Sequence, residues 1–244
     1  MAKPKRHDGR RPGELRAVRI TPDFVSSADG SCLIETGRTR VICTASLLPG
    51  VPEWRRGAGL GWVTAEYGML PASTGRRRRR PLLKQDGRSV EIQRVIGRVL
   101  RSVVRFGRLG ENTVYLDCDV LEADGGTRTA AITGAYVALA RAVAAGADRD
   151  RCGARVLSSA VAAVSVGIVA RTPVLDLDYH EDAAADVDMT VAMTGGGKFV
   201  ELQGTAEGNA FSADQLEAML ALARRGIRKL MACQRDAISQ GRSP

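Results

Sequence analysis

Two aspartates in the second half of the chain have the residue type and spacing of a divalent-metal site. Asp182 ends the acidic run DLDYHED at 176–182, and Asp188 opens a predicted strand of mostly apolar residues. Carboxylate oxygens are the ligands that Mg²⁺ and Mn²⁺ prefer. The segment therefore predicts a metal site on Asp182 and Asp188, and a solvated acidic loop is the alternative interpretation.

A second candidate site lies where a predicted strand meets a predicted helix, in the sequence DGGTR at 124–128. Glycines allow a ligand to approach the backbone closely, and the N–H groups of a helix start favour an anion. Thr127 adds a hydroxyl, and Arg128 adds a planar guanidinium that suits phosphate. Arg88 also stands at a predicted helix start, where a cation is unfavourable unless an anion bridges it. Gly126, Thr127, Arg128 and Arg88 are thus candidate phosphate ligands, with a tight structural turn capped by a threonine as the alternative.

Arginines are concentrated in the first half of the chain and point to a polyanionic partner. Residues 1–110 hold 23 Lys and Arg against 9 Asp and Glu, a net charge of +14, whereas residues 111–244 carry −5. Basic sets of this kind bind a nucleic-acid backbone without reading bases. A solvated face or a subunit interface remains open for the arginine row at 94–105. The candidate RNA-binding residues are Arg76, Arg77, Arg78, Arg79, Arg80, Arg94 and Arg98.

Hydrophobic periodicity predicts the strands and helices that hold these residues. An apolar face predicts a helix at 91–106, with Gly107 as its C-cap. A capping box of Ser212 and Gln215 predicts a second helix that starts there and runs to about residue 239. A third helix is predicted at 130–145. Strands are predicted at 15–20, 30–46 (a hairpin around Gly37), 62–70, 114–121, 161–169, 174–179 and 188–203 (a hairpin around 195–197). The pattern predicts an α+β fold with two βαβ-type halves, residues 1–150 and 151–244.

The remaining composition disfavours several other classes of protein. Five cysteines without a CxxC motif and only two histidines disfavour a zinc site or a disulfide framework. The basic arm at 1–13 lacks the apolar segment of a secretory signal, and the apolar stretch at 156–170 is too short to span a membrane. We therefore expect reduced thiols, a cytoplasmic location and no membrane partner.

The motifs, taken together and in order, resemble the ribonuclease PH family of phosphate-dependent 3′-to-5′ exoribonucleases. The stretches that carry the resemblance span nearly the whole chain. They are RHDGRRPGELR (6–16), GWVTAEYGMLPAST (61–74), GRSVEIQR (87–94), LDCDVLEADGGTRTAAITGA (116–135), AAVSVGIV (162–169), DLDYHEDAAADVDM (176–189) and VELQGTAEG (200–208).

The resemblance implies a role for each candidate residue. Asp182 and Asp188 match the family's catalytic, metal-binding aspartates, and Asp182 is alternatively a general acid. Arg88 and the Gly-Thr-Arg element at 126–128 match its phosphate-binding residues. The loop at 74–84 matches the family's RNA-binding loop. Thr190 stands where many members have Asn, and the loop is unusually rich in arginine, which favours tight and salt-sensitive RNA binding.

The resemblance also implies fold, activity and partners. The expected fold has two βαβα-type halves like the second domain of a small-subunit ribosomal protein, with mixed sheets and long helices. The expected enzyme trims the 3′ ends of transfer-RNA precursors and other RNAs. Inorganic phosphate is its nucleophile, nucleoside diphosphates are its products, and the reaction is reversible. Mg²⁺ or Mn²⁺ and a homohexamer, a trimer of dimers, are implied as well.

Two other functions stay open at this stage. A non-catalytic RNA-binding ring subunit is the main alternative, although such subunits tend to lose the arginines or aspartates that this chain retains. A plain nucleic-acid-binding protein would use the arginines alone and would need no phosphate. A core of polynucleotide phosphorylase has the same chemistry, but that protein is much longer.

Overall fold

Five strands between residues 18 and 122 form the first sheet. The computed structural model describes residues 6–79, 86–207 and 209–240. All neighbouring strands are antiparallel except β4 and β5, which are parallel. The strands are β1 (Val18–Pro22), β2 (Gly30–Thr36), β3 (Thr39–Pro49), β4 (Trp62–Met69) and β5 (Asn112–Glu122), in the order β1-β2-β3-β5-β4.

The parallel pair determines where two helices begin. Parallel strands need a crossover, and here helix α1 (Gly87–Arg101) and the short helix α2 (Phe106–Leu109) connect β4 to β5. Helix α3 (Thr127–Asp148) follows β5. Because α1 and α3 each follow the carboxyl end of one of these strands, both N-termini lie at the same edge of the sheet.

The second sheet is antiparallel and follows α3 in the chain. Its strands are β6 (Val161–Val169), β7 (Thr172–Leu175), β8 (Val187–Thr194) and β9 (Phe199–Ala206), in the order β7-β6-β8-β9. The short helix α4 (Tyr179–Ala184) connects β7 to β8, and the long helix α5 (Ala213–Ser239) follows β9. The predicted α+β class is confirmed.

Helix α3 lies between the two sheets and joins their cores. It packs on β2 and β3 from one sheet and on β6 from the other. By length and composition α3 is apolar enough to cross a membrane, but 89% of its most apolar window is buried in the protein, as in an ordinary core helix. A Cβ at Gly134 would lie 2.8 Å from the Cys43 sulfur, so only glycine allows this close helix-to-sheet packing. The hydrophobic core is therefore continuous across the predicted division near residue 150.

Local signals predicted several elements well. The hairpin around Gly37 is confirmed as β2 and β3, and the hairpin at 188–203 is confirmed as β8 and β9. The capping box of Ser212 and Gln215 is also confirmed at the start of α5. In each case the turn or cap residue and the flanking apolar pattern are adjacent in sequence, so they indicate the same structure.

The boundaries of two predicted elements are wrong by four residues or more. The predicted helix at 91–106 starts at Gly87, because the Asp86 side chain accepts a hydrogen bond from the Ser89 N–H and caps it there. It ends at Arg101, and Gly107 lies inside α2. The predicted strand at 174–179 ends at Leu175, because Asp176 adopts a left-handed conformation with φ of 57°.

Candidate active site

A cleft of about 660 Å³ lies at the edge where α1 and α3 begin. All six residues predicted to bind phosphate or metal line it, although they come from four different elements of the chain. Ser165 and Thr190, which are paired on β6 and β8, line it as well. The full lining consists of Met69, Thr74, Gly75, Arg76, Arg78, Arg88, Ala123, Gly125, Gly126, Thr127, Arg128, Thr129, Ser165, Tyr179, Asp182, Asp188 and Thr190.

The N-terminus of α3 forms one wall of this cleft. Gly125 and Gly126 both have positive φ, 74° and 67°, which a residue with a side chain rarely adopts. A Cβ at Gly125 would also lie 2.6 Å from the carbonyl carbon of Asp178, so this glycine lets the α3 turn touch the start of α4. The first N–H groups of a helix have no partner within the helix and attract anions.

Two arginines add full positive charge to this wall. Arg88 is exposed at the second position of α1. Arg128 is partly buried and donates to Glu91 Oε2 at 2.8 Å and to the Gln203 side chain. Glu91 and Gln203 were not predicted, because they lie on α1 and β9, far from Arg128 in sequence. They hold the guanidinium at the mouth of the α3 turn.

Thr127 has a buried partner that sequence reasoning also missed. The Tyr67 hydroxyl, on β4, donates to Thr127 Oγ1 at 2.8 Å. Tyr67 is only 3% exposed, so this contact lies behind the cleft wall. The only sequence signal for the role of Tyr67 is its position in the strand that ends at the cleft.

The two candidate metal ligands form an acidic wall of the same cleft. Asp182 lies on α4 and Asp188 on β8. Burial and the neighbouring Asp182 carboxylate raise the pKa of Asp188 to about 6, although the charges of Arg128 and Arg88 oppose this shift. Asp182 stands at the exposed rim, yet the protein around it excludes enough water to raise its pKa too, against the lowering effect of Arg88 and Arg128. Across the described residues, neither aspartate forms an ion pair within 4.0 Å.

The arginine loop reaches the cleft through two of its members. Arg76 and Arg78 line the cleft, and Arg78 donates to the Asp86 carboxylate at 3.0 Å. Arg77 and Arg79 do not line it, and Arg80 lies outside the described residues.

The two predicted RNA-binding residues on α1 lie outside the cleft. Arg98 forms an exposed pair with Glu201 at 3.0 Å, and Arg94 stands one helical turn before it. Their roles in RNA binding stay predictions.

The acidic run at 176–182 divides into two structural roles. Asp176, Asp178 and Glu181 are buried and pair with arginines at positions 6, 10 and 16. His7, Asp178 and Glu181 place ligand atoms within 4.8 Å of one another. Arg6 donates to both Glu181 oxygens, so these carboxylates already have cationic partners. Of the acidic residues in this run, Asp182 alone lines the cleft.

The site as a whole fits one class of chemistry. Basic groups suited to an anion and two carboxylates line one cleft of about 660 Å³. Enzymes that transfer phosphoryl or nucleotidyl groups need this arrangement, because two anions must be brought together and positive charge must be placed in advance. The fold and site therefore define a phosphoryl- or nucleotidyl-transferring enzyme.

Comparison with known proteins identifies the family. Residues 14–144 match domain 1 of the 3′ exoribonuclease family, and residues 159–226 match its domain 2. The chain therefore belongs to the 3′ exoribonuclease family. It is 55% identical over 239 residues to the ribonuclease PH of Bifidobacterium longum (strain NCC 2705), an alignment that covers 96% of each chain. The chain is accordingly a phosphorolytic 3′-to-5′ exoribonuclease of this type.

Solved structures share the fold at lower identity. An exosome of Archaeoglobus fulgidus with RNA bound to its active site aligns with a TM-score of 0.80 and 24% identity, over 93% of this chain and 92% of that one. Rrp46 of rice (Oryza sativa) aligns with a TM-score of 0.78 and 16% identity, over 96% and 100% of the two chains. These similarities confirm the predicted architecture.

Proposed function

We propose that this enzyme degrades RNA from its 3′ end by attack of inorganic phosphate on the last phosphodiester, with Arg88, Arg128 and the α3 N-terminus holding the phosphate. The bond between phosphorus and the leaving 3′-oxygen breaks, and a nucleoside diphosphate is released. The observation that carries the proposal is the single cleft in which the six predicted residues meet. No side-chain nucleophile is needed, because phosphate itself attacks.

The basic wall has the groups that this attacking phosphate needs. Arg128 offers a planar guanidinium that Glu91 and Gln203 keep in place, and Arg88 offers a second one from the start of α1. Thr127 and the N–H groups that follow Gly126 add neutral donors. Inorganic phosphate at neutral pH is an anion whose oxygens mostly accept hydrogen bonds, so a site built of donors favours it.

The acidic wall fits a divalent cation, and we assign it to Mg²⁺ or Mn²⁺. Asp182 and Asp188 are carboxylates on one cleft, have raised pKa values, and form no ion pair among the described residues. Mg²⁺ is commonly held by one or two carboxylates together with substrate phosphates. When bound, the ion would stabilise negative charge on the scissile phosphate and the leaving 3′-oxygen. Asp182 alternatively donates a proton to that oxygen, for which its raised pKa is suitable.

The substrate and assembly follow from the charge and the relatives. Arg76 and Arg78 lead from the solvent to the cleft, which suits a single RNA strand entering with its 3′ end first. We assign transfer-RNA precursors as the substrate and a homohexameric ring, a trimer of dimers, as the assembly. The related ribonuclease PH supports an RNA substrate, and the exosome structures support RNA binding and assembly into a ring. Five unpaired cysteines favour a reducing, cytoplasmic location.

Identification of the released nucleotide tests the proposal. Pure protein is incubated with a 3′-tailed transfer RNA and Mg²⁺, with and without inorganic phosphate, and with EDTA in a third sample. We expect nucleoside diphosphate only when phosphate and Mg²⁺ are both present. Monophosphate release without phosphate would contradict phosphorolysis, and binding without any release would favour the non-catalytic ring subunit.

A further inference from the structure

Tyr67 lies directly behind the phosphate wall and contacts it through one atom. Its ring is buried between β4 and the elements packed on that strand, and its hydroxyl lies 2.8 Å from Thr127 Oγ1. Thr127 is the first residue of α3 and lines the cleft. The two residues are 60 positions apart in sequence, so only the parallel β4–β5 pairing brings them together.

The direction of this hydrogen bond determines what the Thr127 hydroxyl can do. A hydroxyl has one proton to donate and two lone pairs that accept. Since Tyr67 donates to Thr127 Oγ1, the threonine proton stays available for another acceptor. Across the described residues, Thr127 Oγ1 donates to no group in the protein. The Thr129 hydroxyl, two residues on, differs because it donates to the Gly126 carbonyl at 2.9 Å.

We propose that Tyr67 is a positioning residue of the phosphate site: its hydroxyl holds Thr127 so that the threonine proton points into the cleft, toward the attacking phosphate. This inference rests on the proposed phosphorolytic function and adds a residue behind the site to it. A hydroxyl fixed as a donor favours an anion whose oxygens mostly accept hydrogen bonds. Inorganic phosphate is such a ligand.

The surroundings of Tyr67 keep its hydroxyl protonated. Burial raises the pKa of Tyr67, although the nearby charge of Arg88 acts in the opposite direction. The phenol therefore stays protonated at neutral pH. Arg78 also lowers this pKa, which shows that the hydroxyl lies in the field of the same basic wall that faces the phosphate.

The test compares Tyr67→Phe with a matched control, Tyr136→Phe. Tyr136 is a second buried tyrosine, 7% exposed on α3, and its hydroxyl forms no hydrogen bond within the described chain. Because one hydrogen bond to a charged ligand is weakened, we expect Tyr67→Phe to raise the KM for phosphate about tenfold. The KM for RNA and kcat should stay within about threefold. Tyr136→Phe should leave the KM for phosphate unchanged.

A double-variant cycle shows whether Tyr67 acts through Thr127. Thr127→Ala removes the hydroxyl that Tyr67 holds, so adding Tyr67→Phe to it should raise the KM for phosphate no further. Thr127→Ser keeps a hydroxyl and should retain the sensitivity to Tyr67→Phe. Additive effects of Thr127→Ala and Tyr67→Phe would overturn the proposal, and so would an unchanged KM for phosphate in Tyr67→Phe.

A second readout needs no catalysis. Inorganic phosphate alone should raise the Tm of the wild type and of Tyr136→Phe, and should raise the Tm of Tyr67→Phe by less at the same concentration. Equal shifts in all three proteins would overturn the role of Tyr67 while leaving the proposed function intact. A wild type without phosphate-dependent diphosphate release would overturn the proposed function, and the role of Tyr67 with it.

Discussion

Two clusters of opposite charges flank helix α4, and they differ in how completely they are paired. The arm cluster consists of Arg6, Arg10, Arg16, Asp176, Asp178 and Glu181. Its arginines and carboxylates are at most 11% exposed at the side chain and are linked by short contacts such as Arg16 to Asp176 at 2.7 Å. The cleft cluster consists of Arg88, Arg128, Asp182 and Asp188, and no direct ion pair joins these four within the described structure.

The difference separates a structural use of charge from a catalytic one. A buried ion pair repays its desolvation only when its geometry and hydrogen bonding are complete. The arm cluster meets that condition and fastens residues 6–16 to the second sheet. The four charged residues of the cleft cluster form no such pairs with one another among the described residues, so we expect substrate phosphate and a cation to supply counter-charges there. The predictions below test this contrast by removing one charge at a time.

The largest expected effect follows removal of charge from the cleft cluster. Asp188→Asn should lower the phosphorolysis rate about 10³-fold, because it removes one of the two carboxylates that we propose hold a divalent cation, and that cation would stabilise charge at the scissile phosphate. The free energy of unfolding in metal-free buffer should stay unchanged or rise by about 1 kcal/mol, since a half-buried carboxylate without a cationic partner is relieved. Rate assays and urea unfolding measure the two quantities.

A surface aspartate provides the control for this variant. Asp214 is exposed at the start of α5, and Asp214→Asn removes the same charge away from both clusters. It should change the unfolding free energy by no more than about 0.5 kcal/mol and leave the rate unchanged. A large loss of stability in Asp188→Asn would mean that the cleft cluster is paired like the arm cluster.

Removal of charge from the arm cluster should lower the stability of the protein and leave its catalytic rate nearly unchanged. Glu181→Gln keeps the capping-box acceptor of α4 but leaves Arg6, whose side chain is 3% exposed, without its main counter-charge. Breaking a buried pair in this way should lower the unfolding free energy by about 3 kcal/mol. The kcat of the folded fraction should stay within a few-fold of wild type. A loss below about 0.5 kcal/mol would show that these contacts contribute no more than exposed pairs do.

The sequence predicted the cleft cluster better than the arm cluster. Arg88, Thr127, Arg128, Asp182 and Asp188 stand at element boundaries, where residue type and local pattern already indicate chemistry. The arm cluster pairs residues 160 or more positions apart, such as Arg16 and Asp176, and no periodicity connects them. The acidic run at 176–182 was therefore predicted as one site or one loop, although its members face two different environments.

The contacts behind the cleft were missed for the same reason. Tyr67 has the alternation of an ordinary core residue in a strand, and Glu91 and Gln203 have the pattern of solvated positions. Their partners are fixed by the parallel pairing of β4 with β5 and by the approach of β9 to α1, which are tertiary properties. The strand and helix types were predictable, since each depends on a local pattern.

A smaller effect distinguishes the charge of Asp178 from its capping role. Burial alone would raise the pKa of Asp178, but hydrogen bonds from the Glu181 backbone and His7, with the charge of Arg10, lower it below 3.8. The charge of Asp178 thus stabilises the fold at pH values above 3.8. This contribution to the free energy of unfolding is lost as the pH falls through the lower pKa of the folded state. Asp178→Asn keeps a good helix cap, so it isolates the charge.

Urea unfolding from pH 6 to pH 3 measures this contribution. Asp178→Asn should be less stable than wild type by about 1 kcal/mol at pH 6, and the difference should shrink below pH 3.8. A difference that is constant with pH would assign the effect to the altered hydrogen bonds. A difference that grows toward acid would contradict the lowered pKa.

The smallest expected effect concerns the salt dependence of RNA binding, and it compares a paired with an unpaired arginine on α1. Arg94 and Arg98 lie one turn apart on α1, and both are exposed. Glu201 already neutralises Arg98, whereas Arg94 forms no ion pair within the described structure. Each arginine that neutralises an RNA phosphate steepens the slope of log affinity against log salt by about 0.7 for a single strand. Arg94→Gln should therefore reduce the slope by about that amount, and Arg98→Gln by less.

Filter binding of a 3′-tailed RNA across 50 to 200 mM salt, about the range over which such contacts weaken strongly, measures both slopes. Equal reductions would show that RNA displaces Glu201 from Arg98. Two unchanged slopes would remove this face of α1 from the RNA path and leave Arg76 and Arg78 as the route to the cleft.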